Sequence, residues 1–267
     1  MRSSVTRPPS ASRRRVYGSY TESADPRWQG VYRLGGVAAL ITVLVALVDI
    51  ILSFLPGERD VEPSRLSATE WFSRFEDNRF LALRDLGLWN IFNTTLAVPV
   101  HLALYGSHRR TTSQPFAALA AILSFIGAAV YAANNKALPM LALSEKYAAA
   151  STDAERARLA AAGQAMLAQG EDFTPGSFVG FFLTEVGGIV MGVTMLRSRV
   201  FGRLNAWAGI AGSSLLLAFT VWATFVPAAF RRAMPLAMGG GILSMAWNIL
   251  TARRLFELGQ GDRRVKR

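Results

Sequence analysis

The chain has 267 residues, of which 51% are hydrophobic and 18% are charged, and its formal net charge is +11. Soluble domains carry about 25% charged residues, and the apolar residues here form long blocks, so an ordinary soluble domain is excluded. The absence of cysteine excludes disulfides, thiolate catalysis and cysteine metal sites. The arginines flank apolar blocks, which predicts membrane lipids rather than nucleic acid as partners.

The N-terminal region combines a polar tail with the first apolar block. Residues 1–29 are rich in Ser, Pro and Arg and are predicted to be a disordered basic tail. The block at about 34–55 is long enough to cross a bilayer as a helix. After it, Ser67 and Glu70 form a capping box that predicts a short helix. Its aromatic face, with Trp71, Phe72 and Phe75, is suited to the headgroup region.

Two further spans and a second polar segment follow. The second span, at about 80–105, is the most polar, and the third, at about 115–133, ends at an interface marked by Asn134-Asn135-Lys136. The second polar segment, up to about residue 176, contains a capping box that opens with Thr152. This box predicts a water-facing helix over 152–169, ended by Gly170 and lying outside the membrane.

The C-terminal third contains three more apolar blocks. They lie at about 177–196, 204–226 and 233–250, and a basic tail follows at 257–267. The predicted architecture is therefore all-α: a polytopic transmembrane bundle of about six spans over residues 30–256, with short external helical segments. Gly239-Gly240-Gly241 in the sixth span favours close helix packing, with local unwinding as the alternative.

The distribution of Lys and Arg predicts the orientation of the bundle. One side, with residues 1–33, residues 253–267 and the loops at 109–110 and 197–203, carries 18 of them. The other side carries nine, in the segments 56–78, 135–176 and 227–232. Because positive loops stay inside, both termini are predicted to be cytoplasmic in a bacterial inner (plasma) membrane protein.

Four ionisable residues inside or at the edge of the spans are the best candidates for a site. These are Asp49, Arg84, Asp85 and Glu185, all in the outer half of the membrane in this topology, with Asn90 farther along the second span. Intramembrane charges are costly and usually face a bundle interior or a wet cavity. We expect Arg84 to pair with Asp49 or Glu185, whereas Asp85 points about 100° away and is a poor partner. A structural ion-pair network is the alternative to a ligand-binding cluster.

The sequence offers no support for a cofactor. His101 and His108 are the only histidines, and they do not form a bis-His haem site on facing helices. No His-Glu-x-x-His motif, phosphate-binding loop or nucleophile elbow is present, so no cofactor and no metal are predicted.

The six-span pattern, the polar second span, Asn134-Asn135-Lys136 and the later Ser144-Glu145-Lys146-Tyr147 resemble an uncharacterised family of bacterial integral membrane proteins with a domain of unknown function. The resemblance covers about residues 28–258. It implies a six-helix bundle in a bacterial inner membrane, and it implies no activity and no site residues.

The function expected from these features is the binding or transport of a small or lipidic ligand that enters from the outer side. Two alternatives stay open: a structural or regulatory membrane protein without a ligand site, and a membrane enzyme that uses Asp49, Asp85 or Glu185 as a general acid or base. A cavity that connects the carboxylates to the outer surface favours a ligand or an enzyme, and a dry bundle favours the structural role.

Overall fold

The computed structural model describes residues 25–53, 66–170 and 172–260, and every regular element in these ranges is helical. The predicted all-α class is confirmed. Helical structure begins with a short 3-10 turn at Pro26–Trp28, inside the segment predicted to be a tail, and the last helix ends at Gly259. Most of the predicted N-terminal tail and residues 261–267 of the C-terminal tail lie outside the described residues.

Six long helices form the bundle. They are α1 (Gln29–Leu52), α4 (Trp89–His108), α5 (Gln114–Asn134), α8 (Phe178–Ser198), α9 (Arg203–Phe225) and α10 (Phe230–Gly259). In the order in which they are synthesised, each packs against the next, and α10 packs back against α1. The six helices therefore form a closed ring around a common interior.

The composition of this ring fits a membrane. Five helical stretches in the described part of the chain are long and apolar enough to cross a bilayer, and they contribute every ring member except α4. Helix α4 is less apolar because it carries Asn90, Asn93 and His101. Large apolar side chains such as Leu44, at 60% exposure, and Ile122, at 52%, point out of the ring. This outer surface is suited to lipid tails, and about six spans are confirmed.

Small residues bring neighbouring ring helices close together. A Cβ on Gly187 of α8 would lie 2.6 Å from Oγ of Ser124 on α5. Helix α10 runs without interruption through Gly239-Gly240-Gly241, where Gly240 faces Leu216 of α9. Gly240 therefore serves close packing, as small residues do in membrane bundles, whereas an added Cβ on Gly241 would meet nothing within 4 Å.

Four short helices form a separate layer, which we call the cap. They are α2 (Ala68–Asp77), α3 (Arg79–Leu83), α6 (Ala137–Ala149) and α7 (Asp153–Gly170). They pack against one another around Trp71, Phe72, Phe75, Met140 and Leu167, each at most 2% exposed. The placement of the α2 aromatic face in the headgroup region is therefore wrong. The cap core covers it, with the Phe72 ring 4.9 Å from that of Tyr147 on α6.

The capping box at Ser67 is confirmed, and one of the two hydrogen bonds of the predicted box at Thr152 is present, since the Glu155 carboxylate accepts from the backbone of Ser151 instead. The Ser67 side chain accepts from the backbone of Glu70 and the Glu70 carboxylate accepts from the backbone of Ser67, which begins α2. The backbone N–H of Glu155 donates to Oγ1 of Thr152 at the start of α7. Helix α7 ends at the predicted Gly170, and most of its residues are exposed.

The second predicted span is not one continuous helix. Helix α3 ends at Leu83, a π-type turn covers Arg84–Leu88, and α4 starts at Trp89. Within the turn Gly87 has φ +83°, a left-handed conformation that glycine adopts without steric cost. The side chains of Asn135 and Tyr131 donate to the freed carbonyls of Leu86 and Gly87. The break therefore keeps its backbone hydrogen-bonded.

Candidate functional site

A polar cavity of about 130 Å³ lies inside the ring. Its wall consists of Thr42 from α1; Ala97, Val100 and His101 from α4; Thr184, Glu185 and Gly188 from α8; Gly209 and Ser213 from α9; and Ser244, Trp247 and Asn248 from α10. Most of these positions fall in the middle stretches of their helices. The cavity is therefore near the middle of the bundle, where transporters place their binding sites.

Of the residues that the structure describes, Glu185 alone supplies a carboxylate to the cavity wall. Its side chain is within hydrogen-bonding range of the Ser213 hydroxyl on α9. Among the described residues it forms no ion pair. A carboxylate in the middle of a membrane bundle is costly to keep charged unless water, a cation or a ligand stabilises it.

His101 and Trp247 are buried side chains of the wall, 5% and 9% exposed. Nδ1 of His101 lies 2.9 Å from the Ala97 carbonyl, which can only accept, so Nδ1 is the donor. Nε2 of a neutral His101 is then an acceptor, and neither it nor Nε1 of Trp247 has a partner among the described residues. Unpartnered buried polar atoms are rare in folded proteins and indicate room for a polar guest.

Asp49, Arg84 and Asp85 form a separate cluster between α1 and the π-type turn. Arg84 Nε lies 2.8 Å from Asp49 Oδ1, and a second guanidinium nitrogen donates to Ser53. The predicted pairing of Arg84 is thus confirmed for Asp49. Glu185 does not join this cluster among the described residues and lies in the cavity wall. The predicted poor contact of Arg84 with Asp85 is wrong: NH1 and Oδ1 are 3.1 Å apart. The 100° step of a regular α-helix does not apply in this turn.

The same cluster connects the bundle to the cap. Asp85 Oδ2 also lies 2.5 Å from NH2 of Arg74 on α2, and the Asp85 and Arg84 side chains are 10% and 8% exposed. The charges of both residues are therefore neutralised by neighbouring side chains. Such an arrangement stabilises the joint between α1, α2 and the turn.

Asn90, the fifth candidate, belongs to a third group that centres on Asp172. The Asn90 amide donates to Asp172 Oδ2 at 2.6 Å, and the Tyr131 hydroxyl lies 2.7 Å from Oδ1. Burial raises the pKa of Asp172 to about 6, although both hydrogen bonds act in the opposite direction. Asp172 was not predicted, because Gly170-Glu171-Asp172 has the composition of an exposed loop.

The five predicted residues therefore lie in three places: Glu185 in the cavity, Asn90 beside Asp172, and Asp49, Arg84 and Asp85 at the joint. Among the described residues, no group of three or more His, Asp or Glu side chains is arranged to hold a metal ion. The cavity offers one carboxylate and one imidazole to a ligand.

A comparison with family models identifies the family to which the chain belongs. The model described as "Domain of unknown function (DUF4386)" matches residues 44–249, which covers most of the bundle and the whole cap. The chain belongs to this family. Its predicted resemblance to an uncharacterised family is confirmed, and the DUF4386 match includes all five candidate site residues. No curated protein and no solved structure matches the chain.

Proposed function

We propose that this DUF4386 protein binds a small polar ligand in the cavity at the centre of its transmembrane ring. The observation that carries the proposal is the wall itself, which combines Glu185 with the unpartnered nitrogens of His101 and Trp247. A bundle with a purely structural role gains nothing from a buried carboxylate without an ion pair, because such a group destabilises it.

The size of the cavity limits the ligand. At about 130 Å³ it is close to the roughly 150 Å³ of an engineered cavity that holds benzene. A lipid chain does not fit such a volume, so the small ligand is favoured over the lipidic one. Membrane lipids remain the proposed partners of the outer surface, where apolar side chains are exposed all along α1.

We place the protein in a bacterial inner membrane with both termini in the cytoplasm and the cap outside. The support is the 18 to nine asymmetry of Lys and Arg in the sequence. In the structure, the connections that carry the cap join α1 to α4 and α5 to α8, and both leave the ring on the same side. A ligand that enters from the outer side would pass the cap first.

Thiol labelling tests whether the cavity is accessible. The chain has no cysteine, so Ser244→Cys places a single thiol on the cavity wall. Neutral methyl methanethiosulfonate should modify it in isolated membranes, as followed by intact mass. Leu119→Cys, at an exposed apolar position of α5, is the matched control and should stay unmodified, because thiolates form in water and not among lipid tails. An unreactive Ser244→Cys would refute the proposal.

A further inference from the structure

The charge of the cavity wall is one-sided. Within the part of the chain that the structure describes, Glu185 and His101 are its only titratable residues, and no Lys or Arg lines it. Arg74 and Arg84 are engaged with Asp85 and Asp49 at the joint with the cap and are not part of the cavity wall. The cavity therefore holds an acidic group whose counter-charge is not supplied by any side chain that lines it.

Acceptors predominate in the wall, although Nε1 of Trp247 is an unpartnered donor that an ammonium group does not satisfy. The carboxylate of Glu185 accepts, and so does Nε2 of a neutral His101. Hydroxyl oxygens of Ser213 and Ser244 add two more acceptors on α9 and α10. A guest that satisfies these acceptors has to donate several hydrogen bonds from one small group.

We infer that the ligand of the central cavity is a small organic cation with a primary ammonium group, bound through Glu185. An ammonium group has three N–H donors and one positive charge, which match the acceptors and the carboxylate of the wall. The aromatic ring of Trp247 adds an apolar surface that also attracts cations. This inference rests on the proposed function, because it names the class of ligand for the same cavity.

The volume sets the upper limit for such a cation. A cavity of about 130 Å³ accommodates a molecule of about six heavy atoms, by comparison with benzene in a cavity of roughly 150 Å³. Ethylammonium fits this limit and serves as the probe. Acetate, of similar size and opposite charge, serves as its matched control.

The experiment compares charged thiol reagents at one position. Purified Ser244→Cys protein in nanodiscs is treated with 2-aminoethyl methanethiosulfonate, which is a cation, or 2-sulfonatoethyl methanethiosulfonate, which is an anion. The rate of each reagent is divided by the rate of the same reagent at Ala162→Cys, an exposed position of α7. This division corrects for the different intrinsic reactivities of the two reagents. We expect the cation to react at least about tenfold faster than the anion after this correction, because a charge a few ångströms from a carboxylate in a low-dielectric site interacts strongly with it.

Two further measurements assign the effect to Glu185 and to binding. Adding Glu185→Gln should remove most of the preference for the cation and leave only the part that the larger size of the anionic reagent causes, while the elution volume and thermal midpoint show that the variant is folded. Millimolar ethylammonium should slow the reaction of Ser244→Cys with the neutral methyl reagent, whereas acetate at equal ionic strength should not. Thr42→Cys, on the α1 part of the cavity wall, replaces Ser244→Cys if that variant does not fold.

The outcomes separate the two proposals. If the neutral reagent reaches neither cysteine, the cavity is closed and the proposed function is wrong. If the neutral reagent reacts but cation and anion show equal corrected rates, or acetate protects as well as ethylammonium, the ligand-binding cavity stands and the cationic ligand is refuted.

Discussion

Arg84 and Asp49 join the first helix of the ring to the break in the second span. Arg84 Nε lies 2.8 Å from Asp49 Oδ1, and one NH2 group of the same guanidinium donates to the Asp49 carbonyl at 3.1 Å. The Arg84 side chain is 8% exposed, whereas that of Asp49 is 42% exposed. One buried guanidinium thus holds both the side chain and the backbone at the end of α1.

Replacing Arg84 should therefore destabilise the bundle. We expect Arg84→Ala to lower the free energy of unfolding by about 1–3 kcal/mol. Removing one partner of a fully buried ion pair costs about 3–5 kcal/mol. The loss here should be smaller because Asp49 is partly exposed. Adding Asp49→Asn should recover part of the loss, since it removes the charge left unpaired. Thermal or denaturant unfolding in detergent measures both variants.

The control for this variant is Arg79→Ala. Arg79 pairs with Glu145 at 3.1 Å, but their side chains are 66% and 52% exposed. Exposed pairs contribute little, so the change should stay within about 0.5 kcal/mol. Equal losses for Arg79→Ala and Arg84→Ala would contradict the structural importance of the buried guanidinium.

Gly87 should not tolerate a side chain. Its φ of +83° disfavours alanine, and an added Cβ would lie 2.5 Å from the Tyr131 hydroxyl and 2.6 Å from Asp172 Oδ2. We expect Gly87→Ala to cost at least about 1–3 kcal/mol of stability. Gly241→Ala is the matched control, because nothing lies within 4 Å of its added Cβ and alanine favours a helix. A stable Gly87→Ala protein would show that the break is a regular helix.

Asp172 should make stability depend on pH. Its pKa in the folded protein is about 6, against an ordinary value of 3.8. Between these values the folded state binds more protons than the unfolded state, so the free energy of unfolding should fall as pH rises from about 4 to about 6. The loss is roughly 2–4 kcal/mol at 1.4 kcal/mol per pH unit. Unfolding midpoints at several pH values measure it.

Two variants test whether Asp172 causes this dependence of the free energy of unfolding on pH. Asp172→Asn removes the titrating group, and Asp153→Asn is its control. Asparagine at 172 can still accept from Asn90 but does not ionise, so the fall between pH 4 and 6 should shrink. Asp153 lies at the exposed start of α7, and its replacement should leave the slope unchanged. If Asp172→Asn and the parent protein give parallel curves, Asp172 is not the titrating group.

Labelling from outside intact cells should report the orientation of the cap. We expect a membrane-impermeant maleimide to modify Ala162→Cys on α7 and not Thr112→Cys in the turn between α4 and α5. Both positions are exposed in the structure, so only sidedness separates them. Modification of Thr112→Cys alone would reverse the proposed topology, and with it the outer entry of the ligand.

The sequence predicts those parts of the structure that local chemistry decides. Capping boxes at Ser67 and Thr152 mark the starts of two cap helices because the hydrogen bonds that begin a helix involve residues only three positions apart. Length and hydropathy mark the spans because the bilayer sets both. Helix α6 was not predicted, because its apolar residues follow Asn134-Asn135-Lys136 in a segment read as polar and external.

Tertiary contacts decide the features that were missed. The break after Leu83 depends on Tyr131 and Asn135, about 45 residues away, which bond to its carbonyls. Glu185 was predicted as a site residue from its position in an apolar span, but its neighbours come from four other helices of the ring. His101 was considered only as a metal ligand, because nothing in the sequence pairs it with Trp247.

The order of helices around the ring has a consequence for biogenesis. Each ring interface but one joins two helices that are consecutive members of the ring along the chain. The exception is the seam between α1 and α10, where Arg33 donates to the Gly259 carbonyl and Gly36 faces the Phe256 ring. In a nascent chain the ring therefore stays open next to α1 until α10, the last helix, is inserted. During that interval the cavity lacks the part of its wall that α10 supplies, Ser244, Trp247 and Asn248, so the closing of the seam completes both assembly and the cavity.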